Sequence, residues 1–134
     1  MEAIIQKLPI GKDDTSPPLD LEDLILLSVN FDSIPLAESS LSLGGKRLLE
    51  VDKPLVLPIG VPLKALVTSG DVLHSWSVPE MGIKIDAVPG RINDSISFIK
   101  RPGIFYGQCS ELCGVGHGFM PIVVEALAVP NFIA

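Results

Sequence analysis

Cys109-Ser-Glu-Leu-Cys113-Gly-Val-Gly-His117 gathers both cysteines and one of the two histidines into nine residues, and Met120 follows three positions later. The other histidine, His74, stands 35 residues upstream of Cys109. Thiolate, imidazole and thioether are soft or borderline donors, a set that favours copper over hard cations. One cysteine, two histidines and a methionine make a mononuclear blue-copper set, which is what remains if Cys109 is set aside. The second thiolate changes the expectation. Two cysteines four apart on one loop can each bridge two ions and leave one histidine to terminate each, giving a dinuclear copper site. Two plainer readings compete: neighbouring cysteines also form disulfides, and two cysteines with two histidines also hold structural zinc. Met120 weighs toward copper, because zinc has no use for a thioether. His74 counts as a ligand only because the loop lacks a second imidazole.

A site built from residue 74 and a loop at 109–120 needs a scaffold that brings distant segments together. Twelve prolines and twelve glycines cut the 134 residues into short pieces. Residues 48–52, 55–59, 63–68, 72–78, 83–88, 95–99, 104–108 and 122–127 are apolar runs bounded by turn signals, several rich in valine and isoleucine. Nothing after Ser39 keeps an i, i+3, i+4 period over helical length. The expected fold class is all-β, a Greek-key sandwich or barrel. Residues 12–18 (KDDTSPP) are polar and proline-rich, and residues 19–29 (LDLEDLILLSV) suit a short helix or an edge strand equally. The expected organisation is an N-terminal extension, 1–18, followed by one domain, 19–134.

Ten Lys and Arg against sixteen Asp and Glu leave a net charge of -6. With a pI near 4.7, the chain lacks the basic face that nucleic acid requires and suits a basic partner better. Hydrophobic residues reach 47% and mean hydropathy is +0.46, which points to a core covered on both faces or to a subunit packed against others. No uncharged apolar run approaches the roughly 18 residues of a spanning helix. Residues 1–12 read as neither transit peptide nor secretory signal.

Three long segments carry a resemblance. Asp71-Val-Leu-His74-Ser-Trp76-Ser-Val-Pro79, then Gly82-Ile-Lys84-Ile-Asp86-Ala-Val-Pro89-Gly90-Arg91-Ile-Asn93, then Phe105-Tyr106-Gly107-Gln108-Cys109 through Met120-Pro121-Ile122 resemble, in that order, cytochrome c oxidase subunit II. The match covers the copper-A domain of that family, roughly 31–127, with 47–52 and 56–58 resembling its run-in strands. The resemblance implies a cupredoxin-like fold and a mixed-valence copper pair. Cys109 and Cys113 would bridge both ions, His74 and Met120 would complete one, and His117 with the backbone carbonyl of Glu111 would complete the other. The Glu111 carboxylate would serve Mg2+ shared with subunit I, a division that suits a weak neutral carbonyl and a hard carboxylate. The chain would accept electrons from cytochrome c and pass them to heme a of subunit I. It would thus be a relay within an oxidoreductase, with no catalytic residue of its own, on the intermembrane-space side of the mitochondrial inner membrane. Lys84, Asp86 and Arg91 would face subunit I, though such residues are commonly plain surface charges. Trp76 reads as packing beside the copper loop, and Gly90, Gly103, Gly107 and Gly114 as turn residues. Nitrous oxide reductase shares the ligand logic, but Ser-Trp-Ser after His74 and the 84–93 segment favour the oxidase. Quinol oxidase subunits lack the ligands. A copper-storage or assembly module would not need the 84–93 motif.

The chain also departs from the family. Its two membrane helices have no counterpart here, nor has the early aromatic strand whose Trp admits electrons from cytochrome c. The only Trp is Trp76 and the only Tyr is Tyr106. The expectation is a split subunit II, with a separate N-terminal half supplying the helices and the entry Trp, and an unpaired strand edge on this half. Glu22, Asp23, Asp32 and Glu38 are candidates for a docking surface toward basic cytochrome c.

Overall fold

A computed structural model describes residues 2–7 and 31–133. Among the described residues eight strands form two sheets. The strands are β1 (Glu2–Lys7), β2 (Leu55–Pro58), β3 (Pro62–Thr68), β4 (His74–Val78), β5 (Ile83–Ala87), β6 (Asn93–Phe98), β7 (Gly103–Cys109) and β8 (Pro121–Leu127). The smaller sheet runs β1-β3-β6 and is antiparallel throughout. The larger runs β2-β8-β7-β4-β5, with β2 parallel to β8 and the other pairs antiparallel. A single turn and a half of helix, α1 (Val129–Ile133), closes the described chain. Among the described residues no helix is long and apolar enough to cross a membrane.

Alternation decides which face of each strand turns inward, because side chains on a strand have a period of two. Leu63, Ala65 and Val67 on β3 point into the core while Lys64, Leu66 and Thr68 are half-buried on the other face. Ile83, Ile85 and Ala87 do the same on β5, leaving Lys84 and Asp86 exposed. β4 breaks the rule: all five of its residues, His-Ser-Trp-Ser-Val, are buried. It lies between β5 and β7, so water reaches neither edge. Its polar members need partners, and the Ser75 hydroxyl, in a fully buried residue, donates to Asp86 Oδ1 at 2.9 Å. Trp76 is 4% exposed and sits opposite Cys109 in the β4–β7 register, packed among Val78, Phe105 and Val124 in the core cluster.

Three expectations are corrected here. Residues 48–52 form no strand: Leu48 takes a left-handed φ of 62°, which no extended run tolerates, and only Val51 makes an isolated bridge, to Pro35. Residues 72 and 73 lie outside β4, in the bend that brings Asp71 toward His74. Gly107 is no turn residue; it lies within β7, and its role is close approach. Residues 2–7 pair along the edge of β3, from Glu2 opposite Thr68 to Lys7 opposite Leu63. The boundary expected at 18/19, the 19–29 segment, Glu22 and Asp23 all fall outside the described residues.

Candidate metal centre

The β7–β8 hairpin ends in a loop that joins Cys109, the last residue of β7, to Pro121, the first of β8. Backbone hydrogen bonds fix it at its base. The Cys109 N–H donates to Met120 O at 3.1 Å, and the Ser110 N–H donates across to Ser75 O on β4 at 3.0 Å. Inside the loop the chain doubles back through left-handed conformations at Gly114 and Gly116, φ 106° and 89°, which glycine adopts without strain. A short helical turn, His117–Phe119, then returns the chain to β8. His74 arrives separately, as the first residue of β4.

These elements converge on two sulfur atoms. Cys109 Sγ and Cys113 Sγ lie 3.9 Å apart, nearly twice the roughly 2.05 Å of a disulfide, and both cysteines are free. His74 Nδ1 is 3.8 Å from Cys109 Sγ, and the Glu111 carbonyl oxygen 3.4 Å from it. His117 Nδ1 is 3.4 Å and Met120 Sδ 3.5 Å from Cys113 Sγ. The ligand atoms of His74, Cys109 and Cys113 all fall within 4.8 Å of one another. His74 and Cys109 are buried and Cys113 is half-buried, whereas the Glu111 residue is exposed. Lys84, Asp86 and Arg91 are exposed too, and Asp86 has a structural task through Ser75. Of the acidic candidates, Asp32 and Glu38 are exposed and Glu38 is ion-paired with Arg47.

The electrostatics favour a cation between the thiols. Burial pushes the Cys109 thiol up, but hydrogen bonding at the Glu111 and Ser75 backbone outweighs it and brings the group down to about 6. Burial and the neighbouring Cys109 push Cys113 the other way. Near neutral pH the metal-free pair therefore carries one negative charge rather than two, as like charges this close require. A cation bound to both sulfurs displaces the second proton.

The donor set fits copper. Two sulfurs 3.9 Å apart are closer than twice a metal–thiolate bond of about 2.3 Å, so one ion can bond both, from either side. An imidazole nitrogen lies beside each sulfur, with the Glu111 carbonyl at Cys109 and the Met120 thioether at Cys113, and the thioether selects the soft metal. Two features were invisible in the spacing of the ligands. The Ser75–Ser110 strut joins backbone atoms, which carry no residue signature. Asp71, whose Oδ1 lies 2.7 Å from His74 Nε2, stands three residues before a histidine; that spacing is its only signal.

Comparison with known proteins places these residues in a family context. The model of the cytochrome C oxidase subunit II periplasmic domain matches residues 19–127. Cytochrome c oxidase subunit 2 of Chondrus crispus is 54% identical over 107 residues, which are 80% of this chain and 42% of the relative. The mitochondrial protein of Vigna unguiculata is 55% identical over 105 residues, 78% of this chain and 28% of the relative. This chain thus spans less than half the length of these relatives. The crystal structure of the periplasmic domain of subunit II (CoxB) of Bradyrhizobium japonicum superposes with a TM-score of 0.70 at 42% identity, covering 77% of this chain and 71% of that one. A mixed disulfide intermediate between thioredoxin-like TlpA and subunit II gives a TM-score of 0.64 at 39% identity, over 77% and 69% of the two chains. The cupredoxin-like expectation for the fold holds.

Proposed function

Because this chain belongs to the family of cytochrome c oxidase subunit II periplasmic domains, we propose that it is the copper-A electron relay of a respiratory oxidase. The chain would take electrons from cytochrome c and hand them to heme a of subunit I. The observation that carries this reading is the pair of free sulfurs 3.9 Å apart, with one imidazole nitrogen beside each. Cys109 and Cys113 would hold both coppers, His74 with Met120 would complete one, and His117 with the Glu111 carbonyl the other. When bound, the copper pair supplies a one-electron station whose charge change is spread over two ions and two thiolates.

The chain's own residues supply rigidity and exclude water. The Cys109–Met120 and Ser110–Ser75 hydrogen bonds hold the loop donors against β4, so little moves when the charge changes. Trp76, buried directly across from Cys109, keeps water from the inner side. The exposed Glu111 side chain is free of the copper set, which supports a carboxylate that holds Mg2+ at the contact with subunit I, the subunit that Lys84, Asp86 and Arg91 would also face. The mitochondrial relatives support a position at the mitochondrial inner membrane, facing the intermembrane space.

Electron paramagnetic resonance on the copper-loaded chain, read with the copper-to-protein ratio, tests the centre. Two coppers per chain and hyperfine structure from one electron shared between two nuclei are expected. A single-copper pattern, or preferential zinc uptake, would sink the reading.

The electron-entry tryptophan has no candidate on this chain: its sole Trp is the buried Trp76. The finer reading is that a separate N-terminal half of subunit II carries the entry Trp and the membrane helices. Purification of the intact oxidase should yield both subunit II polypeptides together; recovery of this chain with no such companion would refute the split.

A further inference from the structure

His74 reaches the centre from outside the ligand loop, and its two ring nitrogens have different neighbours. Nδ1 faces Cys109 Sγ at 3.8 Å, and Nε2 lies 2.7 Å from Asp71 Oδ1. An ionised carboxylate can only accept hydrogen bonds. In the neutral ring the hydrogen therefore sits on Nε2, which leaves the Nδ1 lone pair turned toward the sulfurs.

Asp71 is itself held. The hydroxyl of Ser69, a buried residue, donates to Asp71 Oδ1 at 2.9 Å and also lies 2.5 Å from Val72 O, while the Asp71 N–H donates back to Ser69 Oγ at 3.3 Å. The Asp71 side chain is 67% exposed, yet it is a fixed arm of the 69–72 bend rather than a free surface charge. Among the described residues no carboxylate stands in the same relation to His117, whose Nδ1 contacts Cys113 Sγ.

We propose that Asp71 is a positioning residue: it fixes the tautomer and orientation of His74 so that Nδ1 is offered to the thiolate pair. A carboxylate on the far nitrogen also makes the imidazole a stronger donor, so His74 and His117 are inequivalent ligands. This second half rests on the copper reading above, whereas the first concerns the metal-free ring alone.

Nitrogen-15 NMR of the metal-free chain near neutral pH reads the tautomer directly. The wild-type ring should be uniformly protonated on Nε2. Asp71→Ala should show a mixture of tautomers, and Asp71→Asn, which keeps an acceptor oxygen, should restore the Nε2–H form. After copper loading, Asp71→Ala should bind the metal about 10–100-fold more weakly. Both variants should have a higher midpoint potential than wild type, because the negative charge that favours the oxidised centre is gone. An unchanged tautomer in Asp71→Ala overturns the positioning role, and unchanged potentials in both variants overturn the inequivalence. A wild-type ring locked as described in a chain that assembles no copper pair would leave Asp71 in its role and remove the copper reading instead.

Discussion

Replacing Cys109 with alanine should turn a two-copper chain into a one-copper chain. The variant keeps Cys113 with His117 Nδ1 at 3.4 Å and Met120 Sδ at 3.5 Å, and His74 still enters from β4. One thiolate, two imidazoles and a thioether form the donor set of a blue-copper site. The loaded variant should bind half the copper of wild type, with the electron localised on one nucleus and a strong thiolate-to-copper absorption. Electron transfer through the oxidase should fall by more than the roughly 10–100-fold that loss of an outer partner of a ligand costs, if Cys109 bridges as proposed. Thermal unfolding of the metal-free variant controls for damage to the core, since Cys109 is 6% exposed. Two coppers per chain with a shared electron in Cys109→Ala would refute the bridging role.

The second large effect is steric and needs no metal. A Cβ on Gly107 would lie 2.0 Å from Ser77 O and 3.0 Å from both Ser77 C and Val78 Cγ2. Two of these atoms are β4 backbone, which cannot rotate away. Gly107→Ala must therefore push β7 from β4 at the point where the Ser77–Gln108 and Trp76–Cys109 pairs begin. Overpacking of this kind costs about 3 kcal/mol or more, and a chain of this size should lose about 10 °C in melting temperature. Gly70→Ala is the control, because its Cβ meets nothing within 4 Å; it should melt within about 2 °C of wild type, as exposed substitutions usually do. Equal melting of the Gly107→Ala and Gly70→Ala chains would show that β7 and β4 do not approach as closely as described.

The strands that follow the alternation rule were legible without coordinates. β3 and β5 each put every second residue in the core, and their boundaries differ from the sequence expectation by one residue at most. β4 was located, but its full burial was not: the partner that lets Ser75 be buried, Asp86, is eleven residues away on β5. Residues 48–52 misled because a run of apolar side chains says nothing of a positive φ at Leu48. Gly107 misled for the opposite reason. A glycine marks either a turn or a close approach, and only the neighbouring strand tells which. In the site, Cys109, Cys113, His117 and Met120 announce themselves by spacing because one loop carries them all. His74 does not; it entered because the loop lacks a second imidazole, and the family resemblance then agreed. Asp71 escaped notice as a partner because a carboxylate three residues from a histidine becomes a contact only when the 69–72 bend folds it back.

The split origin of the ligands also sets a timetable for assembly. Four of the donor side chains lie within twelve consecutive residues and come together even in an unfolded chain, whereas His74 joins them only once β4 has paired with β7. A cation offered before folding can be captured by the loop alone. Such capture stabilises the unfolded ensemble and subtracts from the gain that the native site would otherwise provide. Copper supplied after β4 is in register meets every donor at once and locks the two strands together. The same metal should therefore hinder refolding when added early and raise the unfolding temperature when added late.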